Sequence, residues 1–243
     1  MCAGLAATLA ACGGGEKDPD AGTNGVGKLP AAKIESKARK AAEDADSVRL
    51  SGSLVTKGVT YKLNMRLKSD GGTGQVSTKG STFELLRVDK ELYLKADADF
   101  WSHDGEDAGD SGSGDSGAGT DDAADKLDNK YVKVPSDDPS YQRLSGFTDM
   151  SLLLDGLLGL QGEIATGDHG QVGGVRTIRI SAGEDGAGGS LDVSLEGRPY
   201  PLQLRRAGGA GVIRLADWNK DFQLTAPAKG HVLDYGQQLP GTP

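Results

Sequence analysis

Between residues 47 and 68 the apolar side chains recur at every second position. Val48, Leu50 and Leu54, then Tyr61, Leu63, Met65 and Leu67, alternate with Lys62, Asn64, Arg66 and Lys68. A period of two with one polar side predicts antiparallel strands with one face in water. The pattern returns over 83–88 and 92–95, on either side of Asp89-Lys90-Glu91, and again over 131–134. It continues over 175–180, 191–195, 202–206 and 212–215, with glycine-rich turns between. Hairpins are the simplest connections for such a series.

Two stretches break this alternation. Over 31–45, Ile34, Ala38, Ala41, Ala42 and Ala45 fall at helical spacing between Lys and Glu residues, predicting an amphipathic helix with a shallow apolar face. Over 148–160, Leu152, Leu153, Leu154, Leu157, Leu158 and Leu160 follow the cap-competent Thr148 and Asp149. This second helix is greasy and is loosened by Gly156 and Gly159. The expected fold class is therefore α+β, an extensive antiparallel sheet with helices laid on it. A chain of 243 residues suits one such domain, placed at 31–240.

Composition changes the picture in two places. Aromatic residues are 5% of the chain and there are 38 glycines, so aliphatic side chains must do most of the packing. The net charge of -8 is local: residues 104–128 hold nine acids against one lysine, and the rest of the chain balances. That tract reads as a solvated, disordered insertion between strands. The absence of a basic cluster argues against nucleic acid as a partner.

Candidate catalytic strings all fall in or near the same tract. Gly109-Asp110-Ser111-Gly112 and Gly114-Asp115-Ser116-Gly117 match a serine-protease string but have no histidine tied to them. A glycine fingerprint over 112–117 neither follows a strand nor opens a helix. The clustered aspartates lack the ligand spacing of a calcium loop. His103, His169 and His231 are far apart. The expectation is a non-enzyme that needs no cofactor or metal.

The first thirty residues carry an address. A small apolar run ends in Leu9-Ala10-Ala11-Cys12 and is followed by Gly13-Gly14-Gly15 and a polar stretch. This resembles a lipobox: a thiol to take a diacylglyceryl group, small residues before it for the signal peptidase, and a flexible run after it. Residues 1–11 are then a partial signal peptide, short and without a basic start. Cys12 is the lipidation site, and 12–30 is a tether of roughly 20 Å reach. The resulting location is the outer face of the cell membrane. Each buried methylene of the anchor contributes about 0.8 kcal/mol. Both cysteines, Cys2 and Cys12, lie here, so the domain has no disulfide framework.

The apolar inventory of the domain is Leu54, Leu63, Met65, Leu67, Leu85 and Leu92 on the sheet and Leu152, Leu153 and Leu157 on the second helix. These residues either fill one another or leave a cavity. The segment Val88-Asp89-Lys90-Glu91-Leu92-Tyr93-Leu94-Lys95 leading to Phe100-Trp101 resembles the LppX, LprG and LprF family of actinobacterial lipoproteins. So does Ala216-Asp217-Trp218-Asn219-Lys220 leading to Leu224-Thr225-Ala226-Pro227. The resemblance implies a curved antiparallel half-barrel with helices across its concave face, similar to the periplasmic lipoprotein carriers. It also implies an acyl-lipid or glycolipid ligand in a pocket lined by the nine residues named above. A second reading keeps the half-barrel but makes it a non-catalytic interaction or sensory module of the envelope. The acidic tract would then be an arm for an envelope protein partner.

Overall fold

The structure, a computed structural model, describes residues 18–103 and 126–234. Cys2, Cys12, the partial signal and residues 104–125 of the acidic tract lie outside these. Among the described residues, twelve strands form one open sheet in the order β12-β6-β5-β4-β3-β2-β1-β11-β10-β9-β8-β7. The strands are β1 Ser47–Thr56, β2 Val59–Lys68, β3 Gly71–Ser77, β4 Thr82–Val88, β5 Glu91–Ala96 and β6 Tyr131–Val134. They continue as β7 Ile164–Val172, β8 Val175–Ala182, β9 Ser190–Ser194, β10 Pro201–Arg205, β11 Gly211–Ala216 and β12 Val232–Asp234. All neighbours are antiparallel except β12, which runs parallel to β6. Accompanying the sheet are α1 Ala31–Glu43, α2 Ala98–His103, α3 Pro139–Ser145 and α4 Met150–Leu157.

Register aligns the apolar positions into rows across the strands. Ala96, Phe83, Val76 and Leu63 lead through Gly52 to Ile213, Leu204, Leu191 and Ile180. A second row runs Val132, Leu94, Leu85, Gly74, Met65, Leu50, Leu215. The side chains of both rows are buried, so one face of the sheet forms a continuous core. Two glycines interrupt the rows near the middle. Gly52 has φ 145°, and a Cβ there would run into the carbonyl oxygen of Val212. A Cβ on Gly74 would run into the backbone of Asn64 and Met65. Glycine at such positions lets neighbouring strands close in and the sheet bend toward its apolar side. The result is the curved half-barrel, with the core on the concave face.

The convex face is polar but is not simply solvent. Asp192 is buried there and accepts hydrogen bonds from Arg179 at 2.9 Å, Arg205 at 2.8 Å and Gln203 at 3.2 Å. A buried carboxylate is tolerated only with such partners. Beyond β11 the chain crosses this face as a strap. Asp221 pairs with Lys68, the Phe222 ring lies 5.1 Å from the Arg66 guanidinium carbon, and Leu224 approaches Gly71 before β12 joins β6.

Residues 18–30, read above as part of a tether, are held to the sheet. Asn24 donates from its backbone to the Leu195 carbonyl and from its side chain to those of Ser194 and Gly197. Arg176 donates to the carbonyls of Ala21 and Gly22, and Val26 is buried.

Candidate functional site

α1 and α4 cover the concave face. Ile34, Ala38 and Ala42 of α1 are fully buried, and their small size lets the helix settle close against β7, β8 and β10. α4 buries Met150, Leu154 and Leu157, with Leu158 just beyond its end. The spacing i, i+4 puts Met150, Leu154 and Leu158 on one side of the helix. Between the two helices lies a cleft of about 210 Å³, lined by Ala42, Met150, Leu154 and Leu158 at its floor and by Arg39, Glu43, Ser151 and Asp155 at its rim. Small-molecule sites are commonly about 300–1,000 Å³. The cleft is therefore below the usual size of a small-molecule site, and would grow only by displacement of α4.

Beside its buried side chains, α4 has four polar fastenings among the described residues. Asp149 caps its first turn by accepting from the Leu152 backbone N–H at 2.9 Å. Arg87, on the concave side of β4, donates Nε–H to the Thr148 hydroxyl at 3.1 Å and a terminal N–H to the Thr148 carbonyl at 2.9 Å. Gly72 makes this approach possible, because a Cβ there would press on the Thr148 carbonyl at 3.1 Å and collide with Leu67. At the other end Arg206 reaches the Gly156 carbonyl at 3.3 Å, and Arg39 faces Asp155 at 3.8 Å. An ion pair with its carboxylate 67% exposed contributes little.

The structure brings together most of the residues named from sequence. Leu54, Leu63, Met65, Leu67, Leu85, Leu92 and Leu157 are buried in the one core cluster, and Leu153 packs against it half-buried. Leu152 does not join them. It is 62% exposed, because two residues of helix turn it about 200° from the buried Met150 and Leu154 side. The sequence reading missed Met150, Leu154 and Leu158 as a lining set, although their spacing carries the signal. It also missed Trp101 of α2. This side chain is buried against Phe100, which in turn touches Phe83, and among the described residues its indole N–H has no hydrogen-bond partner. His169 is at 3.2 Å from Asp20, well away from the cleft; among the described residues no cluster of His, Cys, Asp or Glu could hold a metal ion. No described helix is long and apolar enough to cross a membrane.

No protein-family model matches the sequence, and no curated protein does. Among solved structures, the chain is similar to LprF from Mycobacterium bovis, with 14% identity over 82% of this chain and 97% of that one, at a TM-score of 0.53. The lipoprotein LppX from Mycobacterium tuberculosis aligns over 79% of this chain and 96% of that one, at 11% identity and a TM-score of 0.42. The similarity to LprF covers most of both chains, and the chain has an LprF-like fold.

Proposed function

We propose that this protein binds acyl lipids or glycolipids between α1, α4 and the concave face, and hands them on as an envelope lipoprotein anchored through Cys12. The observation that carries this reading is the continuous apolar face of the sheet, covered by a helix that buries Met150, Leu154 and Leu157 against it and whose polar fastenings are a cap, a latch to Arg87 and two surface contacts. Swinging α4 outward would exchange leucine contacts for acyl contacts at little net cost, since each buried methylene gains about 0.8 kcal/mol. Binding and release of this kind require no covalent step.

The test is native mass spectrometry of the full chain carrying Cys12→Ser. The expected result is a co-purifying acyl lipid whose occupancy falls at least about fivefold in Ser151→Trp, which places an indole over the cleft. A folded protein free of lipid, or unchanged occupancy in a folded Ser151→Trp variant, would sink the proposal.

A further inference from the structure

Three turns lie side by side at one end of the sheet: those joining β1 to β2, β3 to β4 and β10 to β11. Among the described residues four large apolar side chains are exposed, and three of them sit here: Val55 at 38%, Val59 at 42% and Val212 at 40%. Val59 pairs with Thr56, Val212 pairs with Ser53, and the Val55 backbone N–H bonds to the Ala210 carbonyl. The valines therefore cluster at the tip of the β1–β2 hairpin and the strand beside it.

The charge around them has one sign. No acidic residue occurs in 47–69, 71–83 or 197–216. Lys57, Lys62, Lys79 and Arg214 are exposed, and among the described residues none of them is in an ion pair. The acids that flank the sector are Glu84 on β4, 3.6 Å from Lys95, Asp97 just beyond β5, and Glu184 and Asp185 near the β10–β11 turn. On the convex side the backbone and small side chains of Ser51, Gly52 and Ser53 form the floor of an open depression rimmed by Lys62, Val212 and Arg214. Exposed valines flanked by cations, beside a depression of headgroup size with two cations at its rim, match a bilayer surface bearing anionic headgroups. They do not match a cationic or purely polar partner.

We infer that this end of the half-barrel docks on anionic membrane surfaces, with the valine tip entering the interface and Lys62 and Arg214 flanking a lipid phosphate. The inference stands apart from the lipid-cleft reading, since docking needs only the turn surface.

The test is flotation of the full chain carrying Cys12→Ser with phosphatidylcholine vesicles, with and without phosphatidylglycerol. Flotation with the anionic vesicles alone, lost at about 0.5 M salt, is the expected result. The triple variant Lys57→Glu, Lys62→Glu, Lys79→Glu should lower partitioning roughly tenfold or more, and Val59→Ser with Val212→Ser should lower it severalfold. Lys37→Glu with Lys90→Glu, which alters charge on other exposed surfaces, should leave it unchanged. Co-purified lipid, read by mass spectrometry, should be the same in all of these variants. Flotation that is insensitive to the triple reversal would overturn the inference. So would failure of the intact chain to float, including the case where only a variant lacking residues 104–125 floats, which would assign the patch to the chain's own acidic tract.

Discussion

At the scale of single residues, the fold holds the Tyr93 phenol in its neutral form well above the ordinary range. It is 5% exposed on the convex side of β5, and its hydroxyl donates to Glu91 at 2.8 Å. Burial first, and then the neighbouring Glu91 carboxylate, push the phenol up from its ordinary value to about 12. An acid raised in the folded state contributes stability that is whole below its unfolded value near pH 10 and is lost as pH rises through the folded one. Glu91 behaves in the opposite sense: hydrogen bonds from Lys133 and then Tyr93 lower it, so its contribution is lost as pH falls. The prediction concerns the alkaline limb. Urea unfolding should show wild type losing about 2 kcal/mol relative to Tyr93→Phe between about pH 9.5 and about pH 11.5. Parallel curves for the two proteins would show that the phenol ionises freely in the fold.

At the scale of elements, strands with bulky alternating side chains were legible in the sequence, and those that bend or lie at an edge were not. β2 reads at once from Tyr61, Leu63, Met65 and Leu67. β3, with Gly71, Gly72 and Gly74 and a single buried aliphatic in Val76, carries no period although it pairs with its neighbours along its whole length. β7 is silent for another reason. As an edge strand it is exposed between Ile164 and Val172, so neither face selects apolar residues. Over 148–160 six leucines signal a helix and blur its buried side, so the pattern includes the exposed Leu152 and passes over the buried Met150. α3 has a proper start in Asp138-Pro139, with the Asp138 carboxylate accepting from the Ser140 N–H at 2.7 Å, but its apolar positions are too sparse to read.

The silent glycines are where curvature is made, and that can be tested. Gly52→Ala puts a methyl against Val212 and Ile213 in a backbone region that costs about 1–3 kcal/mol for a side chain. The urea midpoint should fall by at least that amount. Gly58→Asn, at φ 79° with nothing within 4 Å, should change stability by less than about 1 kcal/mol. A Gly52→Ala variant as stable as Gly58→Asn would mean that the β1–β11 pairing can relax without the bend.

At the scale of the whole molecule, an open twelve-stranded sheet has two edges, and each is protected differently. β7 is exposed, carries Asp168 and His169, and has a register shift between Thr166 and His169, all of which discourage another strand from pairing. The other edge would be β6 without the C-terminal strap. Its four residues are Tyr131, Val132, Lys133 and Val134, with Val132 and Val134 fully buried. β12 satisfies that edge by parallel pairing of Val232–Asp234 and packs Leu233 against the core. The strap on the way covers Lys68 and Gly71 with Asp221, Phe222 and Leu224. Ending the chain after Lys220 should therefore do two separable things. Loss of the ladder, the Leu233 burial and the Phe222 contacts should lower unfolding free energy by about 3 kcal/mol or more. The uncovered β6 edge should also drive self-association, seen as concentration-dependent mass in light scattering at native pH. Val132→Lys in the truncated chain would blunt the association by placing a charge next to the bare edge, at a further cost in stability. A truncated protein that stays monomeric and unfolds at the wild-type midpoint would show that β6 is a finished edge and that the strap is there for something other than the fold.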